Sequence, residues 1–287
     1  MTVVLAGLAI GAVYVLTALG YNLVFVSAGV FNFAQAQFIM IGTFVSYWAA
    51  AQLHVPVELG IPLGLAVGFG LGAIEEIAAI NPLRRLGGQS ELIVTLGVGV
   101  VLDGLAYLIW GSQPLEVPFF GSSSPLTVLG GKILPVELTL VCVAVAGALA
   151  LAAWTRFSLV GMASVAVSED KAAAAARGID PRKFSLISVA VAAAIAAAIG
   201  PIIGPKTYAV YNLGDQLAII AFVCLAIGGF GSYLGVLLGG MSVGLAESIG
   251  ARFVSPPFGD VIVFVMLLTV LLIRPSGLFR TAAVRKV

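Results

Sequence analysis

Charge is what this chain has least of. Asp, Glu, Lys and Arg supply 9% of its 287 residues, where a soluble domain carries about 25%. Hydrophobic residues supply 61%, and mean hydropathy is +1.14. These values exclude a water-soluble globular chain and fit a polytopic membrane protein. Histidine occurs once, as His54, which gives neither a metal site nor an acid–base pair. The two cysteines, Cys142 and Cys224, lie in separate apolar runs. They read as small core or lipid-facing residues, not as a disulfide or a metal pair. Net charge is +1 and the basic residues cluster at the ends of apolar runs, so nothing offers a surface to nucleic acid. A phosphate loop is missing too. Around Gly130-Gly131-Lys132, Leu126 stands where the first glycine belongs and Ile133 where Ser or Thr belongs. The N-terminal apolar run lacks a preceding basic region and is too long for a cleaved signal, so it reads as a retained first span.

Long hydrophobic runs are what is there. Windows of about 20 apolar residues fall near 3–26, 34–53, 58–80, 91–110, 136–154, 184–204, 216–230, 233–250 and 259–274. The second and seventh are the weakest. The expected fold is all-α and polytopic, with eight to nine transmembrane helices in one domain over 1–287. Lysine and arginine set the orientation. With the N-terminus outside and the C-terminus cytoplasmic, Arg84, Arg85, Arg156, Lys171, Arg177, Arg182, Lys183, Arg274, Arg280, Arg285 and Lys286 are cytoplasmic. Only Lys132, Lys206 and Arg252 fall outside. The external loop 111–135 is rich in Gly, Ser and Pro and reads as an irregular cap.

Two polar interruptions stand beside apolar runs. Ser27–Gln37 holds Gly29, Asn32, Gln35 and Gln37; Gly204–Gln216 holds Pro205, Asn212, Gly214 and Asp215. Such stretches are either ordinary loops or broken helices, whose freed backbone groups must face protein or water. Paired interruptions flank the pathway in many transporters. Asn22, Asn32, Gln35, Gln37, Asp103 and Asn212 are the candidate pathway residues. Asp103 lies well inside a span, where insertion scales assign about 2.5–3.5 kcal/mol to an aspartate. It is either a pathway residue or one partner in a helix–helix hydrogen bond. Glu247 poses the same question less sharply. Glu75 and Glu76, near Arg84 and Arg85, read as a solvated ion pair. Gly235, Gly239, Gly240 and Gly244 recur at helical spacing, a face for close helix packing or for subunit contact.

The longest polar interruption is 156–183. Within it, Ser168 through Gly178 reads as a short helix lying on one side of the membrane. Ser168 is the expected cap. Glu169 and Asp170 suit the N-terminal end of its dipole and Arg177 the C-terminal end. Five alanines carry the middle, and Gly178 and Pro181 end it. It is either a plain connector or a docking element for a partner protein.

Taken in order, several blocks resemble the branched-chain amino acid permease family of bacterial ABC importers, specifically the smaller of its two permeases. They are Gly20-Tyr21-Asn22 with Asn32-Phe33-Ala34, Asn81-Pro82-Leu83-Arg84, and Thr95-Leu96-Gly97. Gly161 through Asp170 follows, with Ala174 and Gly178-Ile179-Asp180. Gly228-Gly229-Phe230-Gly231-Ser232 with Gly235 and Gly239-Gly240 comes next, and Arg274-Pro275-Ser276-Gly277-Leu278-Phe279 ends the series. The resemblance covers nearly the whole chain. It implies that 155–183 is a cytoplasmic coupling loop, with Gly161, Ser168, Glu169, Asp170, Lys171, Ala174, Arg177 and Gly178 docking on an ATPase. It implies partners: cytoplasmic ATP-binding subunits, a second homologous permease or a second copy, an extracytoplasmic solute-binding protein, and the lipid of the inner membrane. ATP is used by the partner, and this chain is expected to bind no cofactor or metal and to catalyse no covalent chemistry. Two departures stand out. Ala36 and Gln37 replace a Gly and a Glu common in the family, and Met162 and Val165 replace arginines.

Two other classes compete. A channel or ion-driven secondary transporter needs a relay of titratable groups inside the membrane, for which Asp103 and Glu247 are a thin basis. A membrane-embedded enzyme needs a nucleophile with a base, or metal ligands, on one face. Within the ABC class, urea, amides or aromatic acids are alternative solutes.

Overall fold

The computed structural model describes residues 1–29, 31–83, 88–121, 124–128, 130–255, 258–274 and 277–278; the side chains of residues 83, 88, 89, 128 and 260 are not described. Arg84, Arg85, Pro275, Ser276, Phe279, Arg280, Arg285 and Lys286 lie outside the described residues, and so do half of the terminal block and the end of the Asn81–Arg84 block.

The chain is helical almost throughout. In order it runs α1 Thr2–Ala28, α2 Gln35–Tyr47, α3 Gly60–Glu75, α4 Asn81–Leu83, α5 Gly88–Trp110, β1 Leu126–Val128 and β2 Gly131–Ile133. There follow α6 Pro135–Phe157, α7 Leu159–Glu169, α8 Lys171–Ala176, α9 Pro181–Thr207, α10 Leu213–Gly228, α11 Tyr233–Phe253 and α12 Phe258–Ile273. Among the described residues, six helical stretches are long and apolar enough to cross a membrane: Thr2–Ala28, Val57–Ile80, Ser90–Trp110, Pro135–Phe157, Pro181–Thr207 and Tyr233–Phe253. The chain is a multi-pass membrane protein. The weak second and seventh windows are short here, as α2 and α10, and so is the last, as α12. α2 is prolonged by a π-helical turn over Trp48–Gln52, and α3 by another over Glu76–Ile80.

Part of loop 111–135 is more regular than its composition predicted. β1 and β2 pair antiparallel, Leu126 opposite Ile133 and Val128 opposite Gly131. Gly130, at φ +77°, supplies the left-handed backbone that closes such a short turn.

The described residues fall into two compact units. The first comprises 1–22, 123–152 and 219–287. Its core is a glycine contact between α1 and α11. A Cβ on Gly11 would stand 2.9 Å from the Gly240 carbonyl, and one on Gly244 would collide with the backbone of Gly11. Gly239 packs on Gly228, and Gly235 does so too. The glycine face of α11 is therefore spent on internal packing.

The second unit comprises 23–122 and 153–218. α2 packs on α3, α5 and α9, and α3 packs along α9. Gly60, Gly64, Gly68 and Gly72 repeat every fourth residue, all on the buried face of α3. Gly64, Gly68 and Gly72 lie against Ala193 and Ala197 of α9 and their neighbours. Pro201 lies inside α9, so the Ala197 carbonyl four residues earlier lacks its helical N–H donor. That carbonyl lies against Gly42 of α2 and Gly64 of α3, where no side chain fits.

Candidate functional site

Both interruptions are helix breaks. α1 ends at Ala28 and Gly29 turns at φ +66°. Phe31 and Asn32 belong to no helix or strand, Phe33 and Ala34 form a turn, and α2 starts at Gln35. At the other break α9 ends at Thr207, Tyr208 takes φ +61°, and α10 starts at Leu213. The freed backbone groups find partners in the protein, as they must away from water. The Phe33 N–H donates to Thr95 Oγ1 at 3.1 Å and the Ala34 N–H to Asn32 Oδ1 at 2.9 Å. At the second break Leu115 and Ala209 exchange both backbone hydrogen bonds, at 2.9 and 3.1 Å.

Polar side chains of the first break point into the second unit. Asn32 Nδ2 donates to Glu75 Oε2 at 2.8 Å. Gln35 Nε2 donates to the Ala192 carbonyl of α9 at 3.0 Å. Gln37 Nε2 donates to Asp215 Oδ1 at 2.9 Å, which ties the two breaks together. Asp103, on α5, lies within electrostatic reach of both Gln37 and Asp215. It is 8% exposed, and its Oδ1 has no hydrogen-bond partner among the described residues. Gln37 Oε1 and Asn212 Oδ1 are in the same condition.

One expectation fails here. Glu75 and Glu76 are 4% and 2% exposed, so they are not a solvated pair. The π-helical turn that begins at Glu76 continues α3 inward-facing, and Asn32 binds Glu75. Asn22 has a partner of its own. It sits in the first unit, where its Oδ1 accepts the Gly231 N–H at 2.8 Å and fixes the glycine turn before α11. The residues that sequence reading passed over are Glu75, Thr95 and Asp215. For Asp215 a signal was present: Asn32-Phe33-Ala34-Gln35 and Asn212-Leu213-Gly214-Asp215 give both breaks the same asparagine followed three residues later by a polar side chain.

Between α3 and α5 lies a cavity of about 640 Å³. Phe38, Leu71, Ile74, Val98 and Leu105 are among its lining residues, and Glu75 is its one acidic group.

The polar segment also differs from its sequence reading by two residues at one end. α7 runs through Glu169, and Ser168 is inside its last turn, donating to the Val165 carbonyl at 2.8 Å. The extended residue is Asp170, at φ −148°. Its Oδ1 accepts from the Ala172 and Ala173 N–H groups at 2.8 and 2.9 Å, so Asp170, not Ser168, caps α8. Glu169 accordingly ends the preceding helix instead of opening this one. The other end is as read. Gly178 has φ +86°, and the N–H groups of Gly178 and Ile179 donate to the carbonyls of Ala175 and Ala174, a Schellman closure. Lys171 and Arg177 are exposed, while Ala174 is buried. Gly161 has a packing reason, since a Cβ there would collide with the Trp154 carbonyl. The end of α7 reaches the first helix break: a Cβ on Gly29 would lie 3.2 Å from the Ser168 carbonyl.

Residues 3–271 match the family model for the branched-chain amino acid transport system permease component. The chain is 31% identical over 301 residues to the high-affinity branched-chain amino acid transport system permease protein LivH of Escherichia coli strain K12, covering 98% of this chain and 96% of that one. It is 30% identical over 298 residues to the corresponding permease protein BraD of Pseudomonas aeruginosa, with the same coverage. A probable branched-chain amino acid transport permease of Methanocaldococcus jannaschii is 28% identical over 279 residues, covering 92% of this chain and 87% of that one. No solved structure matches the chain. These relatives are transport components, not enzymes. The match runs through both helix breaks and the α7–α8 segment, and the chain belongs to the branched-chain amino acid transport system permease family.

Proposed function

We propose that this chain is a transmembrane permease subunit of a bacterial ABC importer, serving branched-chain or related small amino acids from the inner membrane. The Gln37–Asp215 hydrogen bond carries the reading. It joins two broken helices inside one unit, the arrangement on which transporters build pathways. Asn32, Gln35, Gln37 and Asp103 line or support that pathway, with Asn212 at its second break. The names of the relatives supply the solute class.

The chain acts as one transmembrane domain, N-terminus outside and C-terminus cytoplasmic, with eight to nine crossings. The α7–α8 segment docks on a cytoplasmic ATPase, through the exposed Lys171 and Arg177 and the capped start at Asp170. Phe157, Leu159, Val160 and Met162 are exposed beside it, which makes the surface more apolar than the family's usual basic loop. ATP is bound and hydrolysed by the partner, and this chain holds no cofactor. When the ATPase pair closes, α7 moves and Ser168 bears on Gly29. That contact passes motion to the break holding Asn32 and, through Gln37, to the second break. Small displacements there switch access by rigid-body steps. A second homologous permease or a second copy completes the pathway, and an external binding protein delivers the solute.

The test is purification of the chain from its native membrane in mild detergent. Recovery of an ATPase whose hydrolysis rises with a solute-loaded binding protein supports the reading. Recovery of the chain alone, from membranes in which other complexes survive, favours an ion-driven transporter built on the buried acids.

A further inference from the structure

We propose that Gln37, Asp103 and Asp215 form a station for a primary ammonium group inside the second unit. The inference rests on the permease reading above and adds the chemistry of the group that the pathway receives.

The geometry is a close fit around Gln37. The head of Gln37 lies between two glycines on different elements. A Cβ on Gly214 would stand 2.7 Å from Gln37 Cδ, and one on Gly99 would stand 3.4 Å from it. Each glycine brings a carboxylate with it. Asp103 is one turn beyond Gly99 on α5, and Asp215 directly follows Gly214. Gln37 Nε2 donates to Asp215, so the amide nitrogen is used and its acceptor remains. Gln37 is 2% exposed, and both its Oε1 and Asp103 Oδ1 lack partners among the described residues.

The site is therefore two carboxylates and an amide oxygen, with acceptors left over. The side chains acting on Asp103 are Asp215 and Gln37, both within hydrogen-bonding reach of it, and no Lys or Arg among the described residues is one of them. Asp103 is buried and Asp215 is exposed; carboxylates held close to one another repel, and an unpaired buried acceptor is costly. A ligand that answers both needs positive charge and several N–H donors on one small head. An ammonium group carries three donors. A carboxylate would be repelled, and a neutral amide would bring donors without charge. An aromatic pair is also at hand. Tyr107, one turn beyond Asp103, meets Tyr211 edge to face with ring centroids 5.3 Å apart, and aromatic faces attract cations.

The experiment uses the complex purified with its ATPase, without binding protein, and three probes. L-leucine carries both charges, 3-methylbutylamine is leucine without its carboxylate, and 4-methylpentanoate is leucine without its amine. Calorimetric titration should show saturable binding of leucine and the amine, with the acid at least ten times weaker. Asp103→Asn with Asp215→Asn should weaken the amine at least tenfold. Equal binding of leucine and 4-methylpentanoate overturns the inference, as does absence of amine binding to the unaltered complex. Unchanged amine affinity in the double variant overturns it too. So does sodium binding that the amine fails to displace, which would give the oxygens to a metal ion. If the double variant fails to fold, the three-probe comparison on the unaltered protein decides alone. Stimulation of the ATPase by loaded binding protein tests the permease reading separately and can succeed where the amine preference fails.

Discussion

Glu75 makes the residue-scale argument most sharply. A carboxyl group with 4% exposure at the edge of an apolar cavity is costly unless it is hydrogen-bonded. Asn32 donates to it at 2.8 Å, and the same asparagine also closes the helix break by accepting the Ala34 N–H. Asn32→Ala therefore removes a buried side-chain hydrogen bond, an interaction of about 0.5–1.5 kcal/mol, and frees a backbone donor. Thermal unfolding in detergent should show a clear loss of stability. Asn32→Ala combined with Glu75→Leu should recover part of it, because leucine meets Phe38, Leu71 and Leu102 in the cavity wall. No recovery would mean that the break depends on Asn32 and not on the buried carboxyl group. This pair was not legible in the sequence, because the two residues are 43 apart and Glu75 stands close to two arginines in the chain. A solvated ion pair is the natural reading of that proximity. Gln37 was legible as a polar residue in a broken segment, but its partner was not, for the same reason of distance along the chain.

At the scale of elements, the sequence carried the ends of α8 unequally. Gly178 announced the C-terminus because a left-handed closure needs glycine. The N-terminus held two residues able to cap, Ser168 and Asp170, of which Ser168 was read as the cap, and local preference does not choose between a serine and an aspartate. What decides is that α7 runs on through Ser168 and leaves Asp170 as the extended residue. Asp170→Ala should cost about 1 kcal/mol of local stability, while Ser168→Ala should change helix protection little. Amide hydrogen exchange over Ala172 and Ala173 reads the difference directly, and equal effects would return the cap to Ser168. Asp170→Asn should keep the helix and remove only charge. Comparing its ATPase coupling with that of Asp170→Ala therefore separates docking charge from helix integrity. Gly29 extends the argument from α8 to the break. Gly29→Ala places a Cβ 3.2 Å from the Ser168 carbonyl at a backbone angle that disfavours alanine. It should lower solute uptake more than ATP hydrolysis, measured together in proteoliposomes.

The close approach of α2, α3 and α9 was also half legible. Glycines every fourth residue in α3 mark a contact face, but the partner carbonyl exposed by Pro201 belongs to another helix. Gly42→Ala collides with the Ala197 backbone and should abolish accumulation of folded protein. Gly70, on the same α3, has open space where its Cβ would be. Gly70→Ala should be tolerated, even gaining about 0.5–1 kcal/mol in helix propensity. Loss of folding by both variants alike would show that alanine is rejected even where its Cβ meets open space, and the Ala197 carbonyl would then explain nothing.

At the scale of the whole molecule, parity links the helix count to the orientation. In the proposed orientation Arg156, Lys171, Arg177 and Arg274 lie on one side with the N-terminus opposite, which requires an odd number of crossings between Met1 and Arg274. The six long apolar helices of the described residues are even. On that proposal the short elements supply an odd number of further crossings, and α2 with its π-helical turn, α10 and α12 are the three candidates. α2 spans 13 residues and its turn 5, together about 27 Å at 1.5 Å per residue, close to the roughly 30 Å of hydrocarbon. α10 and α12 have 16 residues each, about 24 Å, enough where neighbours or local thinning cover the ends. If α2 or α10 instead entered and left on the same side, the two ends of the chain would share a compartment. Single cysteines at Thr2, His54, Arg177 and Arg274, in a chain with Cys142→Ser, can be labelled from outside intact cells with an impermeant maleimide; Cys224, being buried, can stay. Thr2 and His54 should react from outside, and Arg177 and Arg274 only after the membrane is opened. Reaction of both Thr2 and Arg274 from the same side would remove one short crossing. The reactivity of His54 then tells which one: an unreactive His54 takes the crossing from α2, and a reactive one takes it from α10 or α12.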